Sequence, residues 1–195
     1  MCTGACSKII AIPLFVLAAV SVICNIMLFF PDFDTKYAAA EDQITEEVKY
    51  MGGLIGGGIM ILIPAIHIHL TSAKKCCANR CGMFLSIGFA AAGVAGSLYS
   101  LTVAALGLVN GPLCQWLNES DSTLQWGTPF ANSSGSYLTD KDMWKWCLIP
   151  ENVVEFNVGL FATLLMSACV SLVLCLIQMI NGLFGCLCGT CSGNK

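Results

Sequence analysis

Charge is what this chain has least of: 11% of its 195 residues are Asp, Glu, Lys or Arg, where a soluble domain carries about a quarter. Hydrophobic residues make up 56%, so bilayer rather than water is the natural solvent. Four stretches hold no ionised side chain: Ile9–Phe30, Met51–Leu70, Met83–Val109 and Phe156–Phe184. Each supplies the roughly 20 apolar residues needed to cross a hydrocarbon core of about 30 Å. With their short connections they take up nearly the whole chain, which leaves no room for a separate soluble enzyme domain. Histidine is also scarce, with 2 residues. His67 and His69 sit at one end of the second span, face different sides of a helix, and read as interfacial rather than as ligands or a proton relay. Acid/base and nucleophile pairs are missing, which speaks against an enzyme and implies no cofactor. No basic patch interleaved with aromatics marks a nucleic-acid partner.

The charges that remain are sorted by sign. Lys74, Lys75 and Arg80 lie between the second and third spans, Lys8 precedes the first and Lys195 ends the chain, with no acid among them. The other connections, 31–50 and 110–155, hold Lys36, Lys49, Lys141, Lys145 and all 12 acids. Basic residues close to spans mark the cytosolic side. The expected topology therefore places residues 1–8, the loop 71–82 and the tail 185–195 in the cytosol, and both longer loops outside. The 22 uncharged residues of the first span exceed a signal-peptide core of about 7–15, which favours an uncleaved anchor. The whole chain reads as one integral membrane domain, 1–195, an all-α bundle of four transmembrane helices.

The 13 cysteines test that orientation, because disulfides persist only on the oxidising side. The outer loops hold just Cys114 and Cys147, the even pair that one disulfide needs. Closing a loop of about 33 residues would contribute roughly 3–4 kcal/mol on the chain-entropy model. Cys2, Cys6, Cys76, Cys77, Cys81, Cys186, Cys188 and Cys191 lie at the cytosolic boundary, where an acyl chain can enter the adjacent leaflet, and are palmitoylation candidates. The CxxC spacing of Cys188 and Cys191, and a zinc site built from the cytosolic thiols, are weaker readings. The tail is Gly-rich and gives no context for lowering a thiol pKa, and the ligand spacing is irregular. Cys24, Cys169 and Cys175 fall within spans as packing residues.

Helices in lipid associate through close backbone approach. Gly88, Ala92, Gly96 and Ser100 recur every four residues on the third span; Gly159, Thr163, Ser167 and Ser171 do so on the fourth. The second span opens with Gly52 and Gly56 overlapping Gly53 and Gly57, and Pro64 offers a kink further on. Internal packing is the commoner use of such ridges, and a homo-oligomeric contact is the other. Polar residues within spans point to transport paths, yet only Asn25, Gln178 and Asn181 stand out. A cavity lined by these would make a small-molecule or lipid-binding transporter subunit or nutrient sensor, the alternative function.

The segment 110–151 is the one stretch able to fold in water. All 4 tryptophans lie there, Trp116, Trp126, Trp144 and Trp146, enough aromatic area for a small core or an interfacial belt. Asn118-Glu-Ser120 and Asn132-Ser-Ser134 are glycosylation sequons in the same loop.

The chain also resembles the four-transmembrane L-six antigens, which share a topology with the tetraspanins. The resemblance rests on Met1-Cys-Thr-Gly4 with Cys6, Leu28-Phe-Phe-Pro31 with Thr35-Lys-Tyr37, and Met51-Gly-Gly-Leu-Ile-Gly-Gly-Gly58. It continues through Ala104-Ala-Leu-Gly-Leu-Val-Asn-Gly-Pro-Leu-Cys114, Gly135-Ser-Tyr-Leu138 with Trp144 and Cys147, and Leu174-Cys-Leu-Ile-Gln-Met-Ile-Asn-Gly182. Where the family typically has a sequon entering the fourth span, this chain reads Phe156-Asn-Val-Gly159, and its inner loop is shorter. The resemblance implies a non-enzymatic organiser at the plasma membrane, and in endosomal membranes too. Its lateral partners would be integrins, receptors or other four-span proteins, and its outputs adhesion, migration and proliferation.

Overall fold

The computed structural model describes residues 3–31, 34, 43–72, 80–118, 123–131, 133 and 135–188. Helix α1 spans Thr3–Leu28; a short α2, Glu46–Lys49, leads into a π-helical segment, Gly52–Ile59, and on to α3, Met60–Ser72. Helix α4 is Arg80–Asn110 and α5 is Val153–Cys188. Between them lie strands β1 (Cys114–Asn118) and β2 (Thr123–Gly127) and a 3₁₀ segment, Lys141–Trp146. Four helical stretches are long and apolar enough to cross a membrane: Ile9–Leu28, Glu46–Leu70, Phe84–Asn110 and Val153–Phe184. At 1.5 Å per residue, the 31 residues of α4 and the 36 of α5 run about 46 and 54 Å, longer than a hydrocarbon core of about 30 Å.

The helices form a ring. Helix α1 packs against α5 and α3, and α4 against α5 and α3, so α1 and α4 stand across one diagonal and α3 and α5 across the other. The interface between α4 and α5 is the most extensive. Two apolar layers fill the interior. One joins Ile10, Leu14 and Ala18 to Ile61, Ile68 and Cys175; the other joins Cys24, Leu28, Ile44 and Val48 to Ala104, Phe161 and Leu164.

Between these layers the interior is small and polar. Ser167 donates to the carbonyl of Leu17 at 3.2 Å, and its hydroxyl lies 2.9 Å from that of Ser21. The π-helical segment sits at this level. Gly52, Gly53, Gly56, Gly57 and Gly58 are all buried, and the reason is steric. A Cβ on Gly56 would lie 2.5 Å from the carbonyl oxygen of Gly96, and one on Gly53 would lie 2.7 Å from Leu164 and 2.8 Å from the carbonyl oxygen of Ser21. Gly57 meets Ser21 and Ser100, and Gly58 meets Val22. This one segment therefore touches α1, α4 and α5. The expected continuous α-helix from Met51 is replaced by the wider π turn, which a run without side chains tolerates. Met51 precedes it with φ of 50°, a left-handed conformation that costs a residue bearing Cβ about 1–2 kcal/mol. Pro64 is fully buried within α3.

The small-residue ridges differ from expectation in a way helical geometry explains. Gly96 packs, with its added Cβ 2.5 Å from that of Met60, and Ser100 and Ser167 are buried. Ala92 is half-buried, but Gly88 and Gly159 are exposed and have no atom within 4 Å of an added Cβ. A step of four residues turns about 40° past a full turn, so an every-fourth ridge winds off the interface. The seam that α4 presents follows alternating steps of four and three: Ser86, Ala90, Gly93, Ser97, Ser100, Ala104 and Gly107, all buried. Helix α5 answers in the same rhythm with Asn157, Phe161, Leu164, Ala168, Ser171, Cys175, Gln178 and Gly182. Gly107 receives the ring of Phe161, Gly93 receives the Cys175 sulfur, and Ser86 accepts from Gln178 Nε2 at 2.8 Å. This is the 3.5-residue repeat of a left-handed pair, with only small residues on α4 and a mixture on α5 in which Phe161, Leu164 and Gln178 are the large members.

Candidate functional site

The segment joining α4 to α5 folds into a lobe with its own core. Helix α4 stops because Gly111 takes φ of 75°, and its amide still donates to the carbonyl of Gly107 at 3.2 Å, a glycine C-terminal turn. Beyond it the amide of Leu113 donates to the Thr45 hydroxyl at 3.2 Å, while Asn110 Nδ2 donates to the buried Glu47 carboxylate at 2.5 Å. The first connection thus props the base of the lobe. Strands β1 and β2 then pair antiparallel, with Cys114 opposite Gly127 and Leu117 opposite Leu124. A third stretch joins them: Leu148 donates to the carbonyl of Gln115 and Gln115 to that of Ile149, both at 2.9 Å. Neither the hairpin nor this bridge is marked by alternation or turn residues strong enough to be expected beforehand.

Cys114 and Cys147 form the disulfide, with Cα atoms 5.5 Å apart, which pins the start of β1 to the end of the 3₁₀ segment. Around it pack Phe130, Tyr137, Met143, Val153 and Val154. The last two are the first residues of α5, so the lobe core is continuous with that helix. Tyr137 stacks on Phe130 at 4.5 Å and donates its hydroxyl to the carbonyl of Leu108 at 2.6 Å. The tryptophans surround this core more than they form it. Trp144 is half-buried and donates to the carbonyl of Tyr137 at 2.7 Å, Trp116 and Trp126 are half-buried, and Trp146 is exposed while stacking on Phe130 at 6.2 Å.

Burial pushes the Tyr137 phenol up to about 12, from 10.0 when free. The neutral form is the one the fold favours, so its contribution is fully present below about pH 10 and is lost as pH rises towards about 12. Melting curves across that range are expected to show lobe stability falling. Tyr137→Phe should abolish this step and destabilise the lobe by about 1 kcal/mol, because the Leu108 carbonyl loses its donor. The ion pair of Lys145 with Asp142 at 2.8 Å holds that carboxyl below its usual range and the ammonium above its own. Both groups are exposed, so the pair adds little to stability.

Register assigns the faces of the small sheet. Residues opposed across antiparallel strands point the same way, so Trp126, Gln115 and Ile149 form one row and Leu117 and Leu124 the next. Leu117 is 51% exposed, Leu124 52% and Ile149 43%. Among the described residues this face, opposite the lobe core, carries no charge and is largely apolar, with Gln115 its polar member and Leu117, Leu124 and Ile149 exposed. Beside it, a cleft of about 360 Å³ runs between the 3₁₀ segment and the start of α5, lined by Trp144, Lys145, Leu148, Glu151 and Glu155 among others.

The polar residues inside the spans turn inward to each other. Asn25 Oδ1 accepts the Leu54 amide at 2.7 Å, closing one of the unpaired donors at the start of a helix. Gln178 is fully buried and bonds Ser86, while Asn181 donates to it at 3.4 Å. His67 is also placed differently from the interfacial expectation. Its ring packs on Phe89 at 4.6 Å, and both ring nitrogens are buried without a hydrogen-bond partner. Among the described residues no three His, Cys, Asp or Glu side chains converge on a metal position.

Several sites expected from sequence fall elsewhere. Cys186 is half-buried; Cys6, Cys81 and Cys188 are described in backbone only, as is Asn118 at the end of β1. Cys2, Cys76, Cys77, Cys191 and Asn132 lie outside the described residues.

Comparison with known proteins adds an independent line. A family model described as L6 membrane protein matches residues 1–192. Transmembrane 4 L6 family member 1 of Homo sapiens is 41% identical, over 100% of this chain and 98% of its own length. Member 4 of Rattus norvegicus is 39% identical over 98% and 94%, and member 5 of Homo sapiens 37% over 98% and 96%. No solved structure matches.

Proposed function

The chain belongs to the L6 membrane protein family, and from that premise we propose that it is a non-enzymatic membrane organiser whose lobe selects lateral partners. The observation that carries this reading is the exposed apolar side chains of Leu117, Leu124 and Ile149 on one face of the lobe, held on a disulfide-closed core. Exposed apolar patches rimmed by polar residues are characteristic of protein interaction sites. Integrins, receptors and other four-span proteins are the partner classes, with adhesion, migration and proliferation downstream. The transporter or sensor alternative draws no support from Asn25, Gln178 and Asn181, which are engaged in hydrogen bonds within the bundle.

In this reading the lobe is extracellular and both termini are cytosolic, at the plasma membrane and in endosomal membranes. The charge asymmetry supports it, as does the disulfide, since such bonds persist on the oxidising side. Asn118 and Asn132 then become glycan acceptors, and Cys2, Cys6, Cys76, Cys77, Cys81, Cys186, Cys188 and Cys191 acylation sites. The test is capture from intact cells in mild detergent, comparing the native chain with Leu117→Lys/Leu124→Lys. Equal surface expression with at least tenfold less of one or more specific membrane partners is the expected result. Enrichment of no membrane protein by the native chain would sink the proposal.

A further inference from the structure

We propose that the π-helical segment Gly52–Ile59 is a two-state register element, whose return to α-helix would release the base of the lobe. The inference holds whichever partner the lobe takes. Several features oppose one another at this segment. A π turn is a rare hydrogen-bond register, and Met51 before it is held left-handed at φ 50°; both penalties vanish if the segment becomes α-helical. What holds the π register is local and identifiable. The Asn25 side chain accepts the Leu54 amide, and the glycine backbone fits against Gly96, Ser21 and Leu164 with no space for a Cβ. Glycine supplies no side-chain interdigitation of its own, so the register rests on these contacts and on the fits of Gly52 to Val103, Gly57 to Ser100 and Gly58 to Val22.

The consequence of a switch follows from helix geometry. Drawing the hydrogen bonds back by one residue turns everything upstream by about 100° and moves it by about 1.5 Å along the axis. The residues upstream are bonded to α4 and to the base of the lobe: Thr45 to the Leu113 amide, Glu47 to Asn110 at the end of α4, and the Tyr50 carbonyl to the Tyr99 hydroxyl within α4 at 2.7 Å. A rotation of that size breaks all of them together. Order in the bundle interior and the attachment of the lobe base are thereby linked, through one element that contacts α1, α4 and α5.

Hydrogen–deuterium exchange of the full chain in lipid nanodiscs tests this, read by mass spectrometry on peptides covering 43–59 and 108–115 against peptides from α1, the middle of α4, and α5. Asn25→Ala removes the contact that holds the register and is expected to raise exchange about 5- to 10-fold in the first two regions only. Deleting Gly58 removes the extra residue of the π turn, so an α register forms with Thr45, Glu47 and Tyr50 left in place, and exchange at 108–115 should stay at the native level. Unchanged exchange at 43–59 and 108–115 in Asn25→Ala overturns the proposal. So does a rise spread evenly over all peptides, which marks a passive packing contact. Asn25→Ala decides the matter alone if the deletion prevents folding.

Discussion

Replacing Gly56 with leucine is expected to leave little folded protein in the membrane. The first added carbon alone would lie 2.5 Å from the carbonyl oxygen of Gly96 and 3.0 Å from the Ser100 amide, and backbone cannot step aside as a flexible side chain can. Three further carbons then have to be housed where the π-helical segment presses on α4. Overpacking of a tight core typically costs 1–3 kcal/mol and here should reach about 3 or more, because relief requires separating two helices. The measurement is the monodisperse fraction recovered in mild detergent, together with its melting temperature. Gly88→Leu and Gly159→Leu are the controls, since both positions are exposed with nothing within 4 Å; they should change stability by less than about 0.5 kcal/mol. Equal loss at all three positions would contradict the packing described.

The second large effect belongs to the disulfide. The double variant Cys114→Ser/Cys147→Ser opens a loop of sequence separation 33 and should cost the lobe about 3–4 kcal/mol. Cys114 is also fully buried at the centre of the lobe core, so a serine there leaves a hydroxyl among Phe130, Tyr137 and Met143. The bundle has its own apolar layers and should persist. Limited proteolysis should therefore cut between residues 114 and 150 in the variant while the α4 and α5 spans remain protected. Native resistance of that segment would show that the sheet and the Tyr137 anchor suffice without the bond.

These two outcomes also show where sequence was informative. Span placement followed directly from the absence of charge, and the disulfide from the isolation of Cys114 and Cys147 among acidic residues. The packing seam was legible in principle but read at the wrong period. Gly93, Ala104 and Gly107 are small residues in a 3.5-residue repeat, whereas the every-fourth series drew in Gly88 and Gly159, which helical drift carries to the outside. The π turn was not legible, because Met51 to Ile59 fits an α pattern equally well and the wider register is favoured by contacts from other helices, the Asn25 acceptor and the glycine fits to α1, α4 and α5. The hairpin was hidden for a similar reason: its apolar residues face outward on one side, so burial imposes no clear alternation. Trp144 and Trp146 were correctly placed in the lobe, but their half-exposed positions depend on Phe130 and Tyr137, which composition alone did not single out.

The lobe is tied at both ends to the same pair of helices. Tyr137 grips the last turn of α4, and Val153 and Val154 make the head of α5 part of the lobe core. Mechanically it is a handle fixed across a hinge line, and the hinge line is the tightly fitted seam where Gly93, Ala104 and Gly107 meet Cys175, Phe161 and Leu164. A sideways pull on the handle becomes torque between α4 and α5, which that seam is poorly shaped to yield to. Force applied to the lobe should therefore travel the length of the bundle as rigid-body tilt rather than dissipate at its base.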